Sequence, residues 1–203
     1  MKILVMQVGE ITIELHPQES IILSNLVGQL LGLLQSHSSA PLDPDPLLAS
    51  YEIGGTDCLP ADPALAKLLP NAYLDPSLAA EFRQVTEQGL LNRKIEDALL
   101  VATALSGGVP EHIELEELLA CEDPEGTIFF LTADTLEPWV RTLTALRLSI
   151  AARLGIETEQ EYSQLREQSE HEETFVIYEW LATLTDMLLR FAPALESFSD
   201  EEE

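Results

Sequence analysis

Two stretches of nearly unbroken apolar helix, one near each end of the chain, limit the possible folds more than any other feature. From Ser20 to Gln35 the polar and glycine positions fall at 25, 28, 29, 32 and 35, a narrow stripe at helical spacing, and leucine, isoleucine and valine fill most of the rest. From about Thr174 to Ala192 a second stripe, Glu179, Thr183, Asp186 and Arg190, stands opposite a greasy side that holds or borders Tyr178 and Trp180. Two such rods need other helices to cover them, which predicts a bundle. Covering both in full strains a 203-residue chain, so a homodimer is expected. Gly28 and Gly32 form a GxxxG spacing within the first rod, read here as tight packing in the core.

Helical signals also fill the middle of the chain. "DPALAKLL" opens with Asp62 as N-cap and Pro63 at the first helical position, and Asp75-Pro76 repeats that start. The "PNAYLDP" between them reads as a connector, with Tyr73 and Glu81 turned to the core. From Ser77 to Leu105 the apolar positions run 78, 82, 85, 89 and then 91, 95, 98, 102, 105, a helix bent or re-phased near Gly89. Thr132 caps a further helix whose apolar face includes Leu136, Trp139, Leu143 and Ile150 and which Gly155 ends. Residues 3–8 and 11–15 alternate as a β-hairpin, and "TIFFL" has the composition of a strand able to join it. The predicted architecture is mainly α, in the α+β class: five to six helices in a bundle with an N-terminal hairpin and a small antiparallel sheet. One domain is expected over residues 1–195, followed by an acidic disordered tail at 196–203. Residues 36–61 read as a loop, 110–125 as an exposed acidic excursion and 156–173 as a polar, mobile segment.

Charge and motifs narrow the function classes. Thirty-six acids against ten Lys plus Arg give a formal charge of −26, which repels bare phosphate backbones, and each helix carries only one or two bases. Direct nucleic-acid binding is therefore disfavoured. The longest greasy run, "IILSNLVGQLLGLL", falls short of the roughly 20 residues that span a bilayer. The N-terminus lacks the long apolar core of a secretory signal, so a cytoplasmic location without membrane attachment is expected. No HExxH, GxSxG, GxGxxG or GxxxxGK[ST] occurs, so no metal, cofactor or catalytic residue is assigned and an enzyme is not expected.

Arg147 is the most informative single residue. A guanidinium on an apolar helix face needs a carboxylate, and Glu179 or Glu81 could supply it as a structural ion pair. Trp139, Trp180 and Tyr73 complete the structural or interaction candidates. Cys58 and Cys121, 63 positions apart, are candidate redox thiols that pair only if folding brings them together.

The hairpin with "ESIILSNLVGQLLGLL", then "DPALAKLLPNAYLDPSLAAEFRQVTE", "LTADTLEPWVRTLTALRLSIAARLGI" and "YEWLATLTDMLL", resembles the actinobacterial family called domain of unknown function 2017, across nearly the whole chain. The resemblance implies a small, mostly helical cytoplasmic protein, encoded in many cases beside a protease adaptor, in a family that includes AosR-type oxidative-stress transcriptional regulators. A regulator of transcription or stress response that acts through a protein partner, such as a sigma factor, polymerase or another regulator, becomes the leading expectation. Redox members of that family carry a closely spaced cysteine pair, whereas Cys58 is followed here by Leu59, Pro60, Ala61 and Asp62. Thr144-Ala145 stands where the family usually has Asn-Asp before the Arg-Leu matched by Arg147-Leu148.

Overall fold

The computed structural model describes residues 2–5, 11–37, 56–106, 127–166 and 171–199, with backbone alone at 2–5 and 194–199. Among them are three strands, β1 (Lys2–Val5), β2 (Ile11–Leu15) and β3 (Thr127–Leu131). The six helices are α1 (Pro17–His37), α2 (Pro63–Leu68), α3 (Pro76–Ser106), α4 (Ala133–Leu154), α5 (Glu159–Arg166) and α6 (Glu172–Ser199). The mainly helical fold read from the sequence is the one observed. The expected acidic excursion at 110–125 and most of the expected loop at 36–61 lie outside the described residues.

The chain divides into two compact units. The first comprises Met1–Leu30, Asp97–Thr142 and Thr183–Glu203 and contains the sheet. Strand β2 is central, antiparallel to β1 with Ile13 opposite Ile3, and antiparallel to β3 with Ile13 opposite Phe129. Thus "TIFFL" does join the hairpin. Period-two alternation sends Ile11, Ile13 and Leu15 fully inward, while Ile128 and Phe130 of β3 face solvent. Trp139 of α4 is fully buried and stacks on Phe129 at 4.5 Å between centroids. Asp97 of α3, itself buried, receives a two-pronged contact from Arg141, Nε to Oδ2 at 2.7 Å and Nη2 to Oδ1 at 2.9 Å. Arg141 also pairs with Glu137 one turn earlier.

The second unit comprises Leu31–Glu96 and Leu143–Ala182. Its interior includes Leu34, Leu65, Leu69, Leu91, Ile95, Leu143 and Leu181. Helix α2 starts as the sequence predicts, with Asp62 Oδ1 accepting from the amides of Ala64 and Leu65 at 2.8 and 3.0 Å. Asp75 caps α3 in the same way through Ser77 and Leu78. Helix α4 ends at Gly155, whose φ of +70° is a left-handed position that glycine occupies without strain, and the Ile156 amide closes back on Ala151 O at 2.8 Å.

Three expectations are corrected. Residues 156–173 hold a helix where a mobile segment is expected, α5 at 159–166: Thr158 and Glu161 make a reciprocal capping box, Thr158 N to Glu161 Oε2 at 2.8 Å and Glu161 N to Thr158 Oγ1 at 3.3 Å. Helix α6 runs through Pro193 to Ser199 instead of ending near Ala192. Gly28 and Gly32 do not pack tightly, since a Cβ added at either meets nothing within 4 Å. Both lie in the polar stripe at 25, 28, 29, 32 and 35, every position of which is exposed.

Candidate interaction face

The first half of α3 is inside out by the usual rule. Leu78, Phe82 and Val85, which share a helix face, are exposed by 50%, 41% and 68%, while Arg83 and Glu87 are buried at 5% and 4%. Solvent would normally take the charges and the core the apolar row, so something must hold the helix in this rotation. A hydrogen-bond network does so. Arg83 is paired with Glu87 Oε2, and its Nη2 donates to Leu69 O at 2.9 Å and to Asn71 Oδ1 at 2.8 Å. The other carboxylate oxygen, Glu87 Oε1, accepts from His37 Nε2 at 3.2 Å and from Thr56 N and Oγ1 at 3.3 and 3.0 Å.

Together these contacts fasten the end of α1, the Thr56 segment and the Leu69–Asn71 connector to one side of α3. Burial alone would raise the Glu87 carboxyl pKa, but the hydrogen bonds from Arg83, Thr56 and His37 outweigh it and hold the group below the ordinary carboxylate value. Gln88 and Asn92, buried one turn further on, bond to each other at 2.8 Å. A cavity of about 20 Å³ lies beside Arg83, Glu87 and Asn71, which is room for one water.

Turning the polar residues inward puts the apolar row outside. Leu74, in the turn before α3, is fully exposed, and Tyr73 is half exposed with its ring edge-on to Phe82 at 5.7 Å. Tyr73 and Glu81 therefore do not face the core: the rotation that buries Arg83 and Glu87 carries Glu81 to the surface, and Tyr73, in the connector before α3, packs against the outward Phe82. Leu90 extends the apolar surface.

The remaining sequence candidates are scattered. Arg147 stands with its guanidinium 5.3 Å from the centre of the Tyr178 ring, a cation–π contact, and its Nε has no hydrogen-bond partner among the described residues. Glu179 accepts from Tyr162 Oη at 2.9 Å, a bond that raises the tyrosine pKa. Tyr162 and Tyr178 form an aromatic group with Phe175. Trp180 is half-buried. Trp139 belongs to the interior of the other unit.

Cys58 is exposed, and a hydrogen bond and the negative charge from Asp57 push its thiol pKa up, which lowers its thiolate fraction. Cys121 lies outside the described residues. Sequence reasoning missed Arg83 and Glu87, which form the buried network, and Asp97 and Arg141, which form a half-buried pair. An available signal was the Arg-Glu pair at i, i+4 on the face opposite 78, 82, 85 and 89.

An open groove of about 520 Å³ between α2 and the α4–α5 turn is crossed by the exposed Lys67–Glu157 pair at 3.2 Å. Among the described residues no group of three His, Cys, Asp or Glu side chains is placed to hold a metal ion, and no helix is long and apolar enough to cross a membrane.

The profile of the family described as Domain of unknown function (DUF2017) matches residues 1–192. The chain belongs to the DUF2017 family. A Mycobacterium leprae protein provisionally named oxidative stress regulator AosR is 29% identical over 190 residues, spanning 85% of this chain and 78% of the relative. Oxidative stress regulator AosR of Mycobacterium bovis and of Mycobacterium tuberculosis is 27% identical over 185 residues, spanning 86% of this chain and 78% of theirs. No solved structure matches the chain.

Proposed function

We propose that this DUF2017 protein is a non-enzymatic regulator that modulates transcription or a stress response through protein contacts, with the outward face of α3 as one of its contact surfaces. One observation carries the reading. A buried charged pair holds an apolar row in solvent, and although its network also ties neighbouring segments to α3, leaving that row exposed adds nothing to folding and suits a surface kept for contact. The relatives named as oxidative stress regulators support the regulatory half of the reading.

The charge of −26 steers basic protein surfaces toward the acidic faces, such as those of a sigma factor, polymerase or another regulator. Direct DNA contact is the alternative reading, and the same charge opposes it.

The test compares tagged wild type with Val85→Glu in the native host. Co-purified proteins are read by mass spectrometry, and the transcript response to peroxide is measured in a deletion strain complemented with each form. The wild type is expected to capture a partner and restore the response, and the variant to lose both. Equal capture and equal response from the two forms would overturn the proposal.

A further inference from the structure

We infer that the occupant of the α3 face is a second copy of this chain, so that the protein is a homodimer built on Leu78, Phe82, Val85 and Gly89 of both copies about a twofold axis. The inference rests on the reading of that face as a protein-contact surface and names the partner.

Spacing is the first argument. Positions 78, 82, 85 and 89 step by four, three and four, the seam along which two helices interlock side chains. The seam ends at Gly89, where the absence of a side chain and the open space around it let another helix come close.

Area is the second. With about 200 Å² for a whole large side chain, the exposed fractions of Tyr73, Leu74, Leu78, Phe82, Val85 and Leu90 amount to roughly 600–700 Å² of apolar surface per copy. A stable interface buries about 800 Å² on each partner, so this patch supplies most of one and its polar rim the rest.

Charge selects the occupant. Between positions 73 and 92 the only charged side chains in solvent are Asp75, whose carboxylate caps α3, and Glu81, because Arg83 and Glu87 are buried and paired. A basic partner gains less from a face with only two acids than from the strongly acidic ones and is drawn to those instead. A partner of the same charge is repelled by those acidic faces and can approach where the charge is sparse. A second copy meets that requirement, and an isologous interface needs no surface beyond this one. The Arg83–Glu87 network fixes the seam before association, so little ordering is lost on binding.

Sedimentation equilibrium of the full chain tests the inference. Wild type should show twice the 22.4 kDa chain mass at micromolar concentration. Association should tighten severalfold as salt rises from about 50 to about 500 mM, because salt screens the repulsion between like-charged copies. Val85→Glu and Leu78→Glu, both at exposed positions, should keep the wild-type circular dichroism and run as monomers.

Wild type that remains monomeric at high micromolar concentration at both salt levels overturns the inference. So does a dimer that both substitutions leave intact, or one that salt dissociates. A monomeric wild type whose partner capture is still lost in Val85→Glu would leave the contact reading standing with a different occupant. Loss of neither property in the variant would remove both.

Discussion

Replacing Glu87 with alanine is the sharpest probe of how α3 is held. The carboxylate receives Arg83 on one oxygen and His37 and Thr56 on the other, and all of these contacts disappear together. Arg83 keeps Leu69 O and Asn71, which satisfy some of its donors but leave its charge buried and uncompensated. Removing one partner of a buried pair costs about 3–5 kcal/mol, and those two remaining acceptors place this case near the lower end. For a chain of 203 residues that corresponds to a fall in Tm of roughly 6–20 °C.

Urea unfolding at pH 7, followed by circular dichroism, measures the loss. Glu87→Gln should lose less, about 1–3 kcal/mol, because it keeps the shape of the side chain and some of its hydrogen bonds. The pH dependence follows from the lowered folded-state pKa of Glu87. Its contribution is fully present above the unfolded carboxyl value of about 4.3 and disappears as pH falls through the lower folded value, so wild type and Glu87→Gln should converge in acid. A loss under about 1 kcal/mol for Glu87→Ala, or a gap from Glu87→Gln that widens in acid, would refute the reasoning.

Three further outcomes follow from the geometry. Gly28→Ala and Gly32→Ala should each stabilise the protein by about 0.5–1 kcal/mol in thermal melts, because both sites are exposed helix interior with room for a methyl group. Trp139→Ala should cost about 3–5 kcal/mol in urea unfolding, since the ring is fully buried against Phe129. Cys58 should react with a maleimide at neutral pH more slowly than a free cysteine, and Asp57→Asn should speed the reaction by removing the carboxylate whose hydrogen bond and charge raise the thiol pKa.

The sequence was most legible where a residue acts within its own helix. Asp62, Asp75 and Gly155 mark element ends through local hydrogen bonds or a single dihedral, and the polar stripes of α1 and α6 reach the surface where periodicity puts them. It was least legible in α3. The row at 78, 82, 85 and 89 has the spacing of a buried face, and contacts from His37, Thr56, Leu69 and Asn71 to the opposite side hold it outward.

Those partners lie up to 50 positions away, and no local pattern encodes them. Arg147 sits within an apolar face, where the sequence suggests a carboxylate partner, yet its guanidinium stands against the Tyr178 ring. The capping box of α5, by contrast, is written in Thr158 and Glu161, a signal that the polarity of the surrounding segment hid.

Hydroxyl-radical footprinting over a concentration series tests most directly whether α3 turns its apolar row outward for contact. Leu78, Phe82 and Val85 should oxidise readily in dilute solution and become protected as concentration rises, while Phe130, exposed on β3, should label equally throughout. Slow labelling of Phe82 in dilute solution would contradict the account, and labelling of all three that does not change with concentration would contradict a second copy as the occupant.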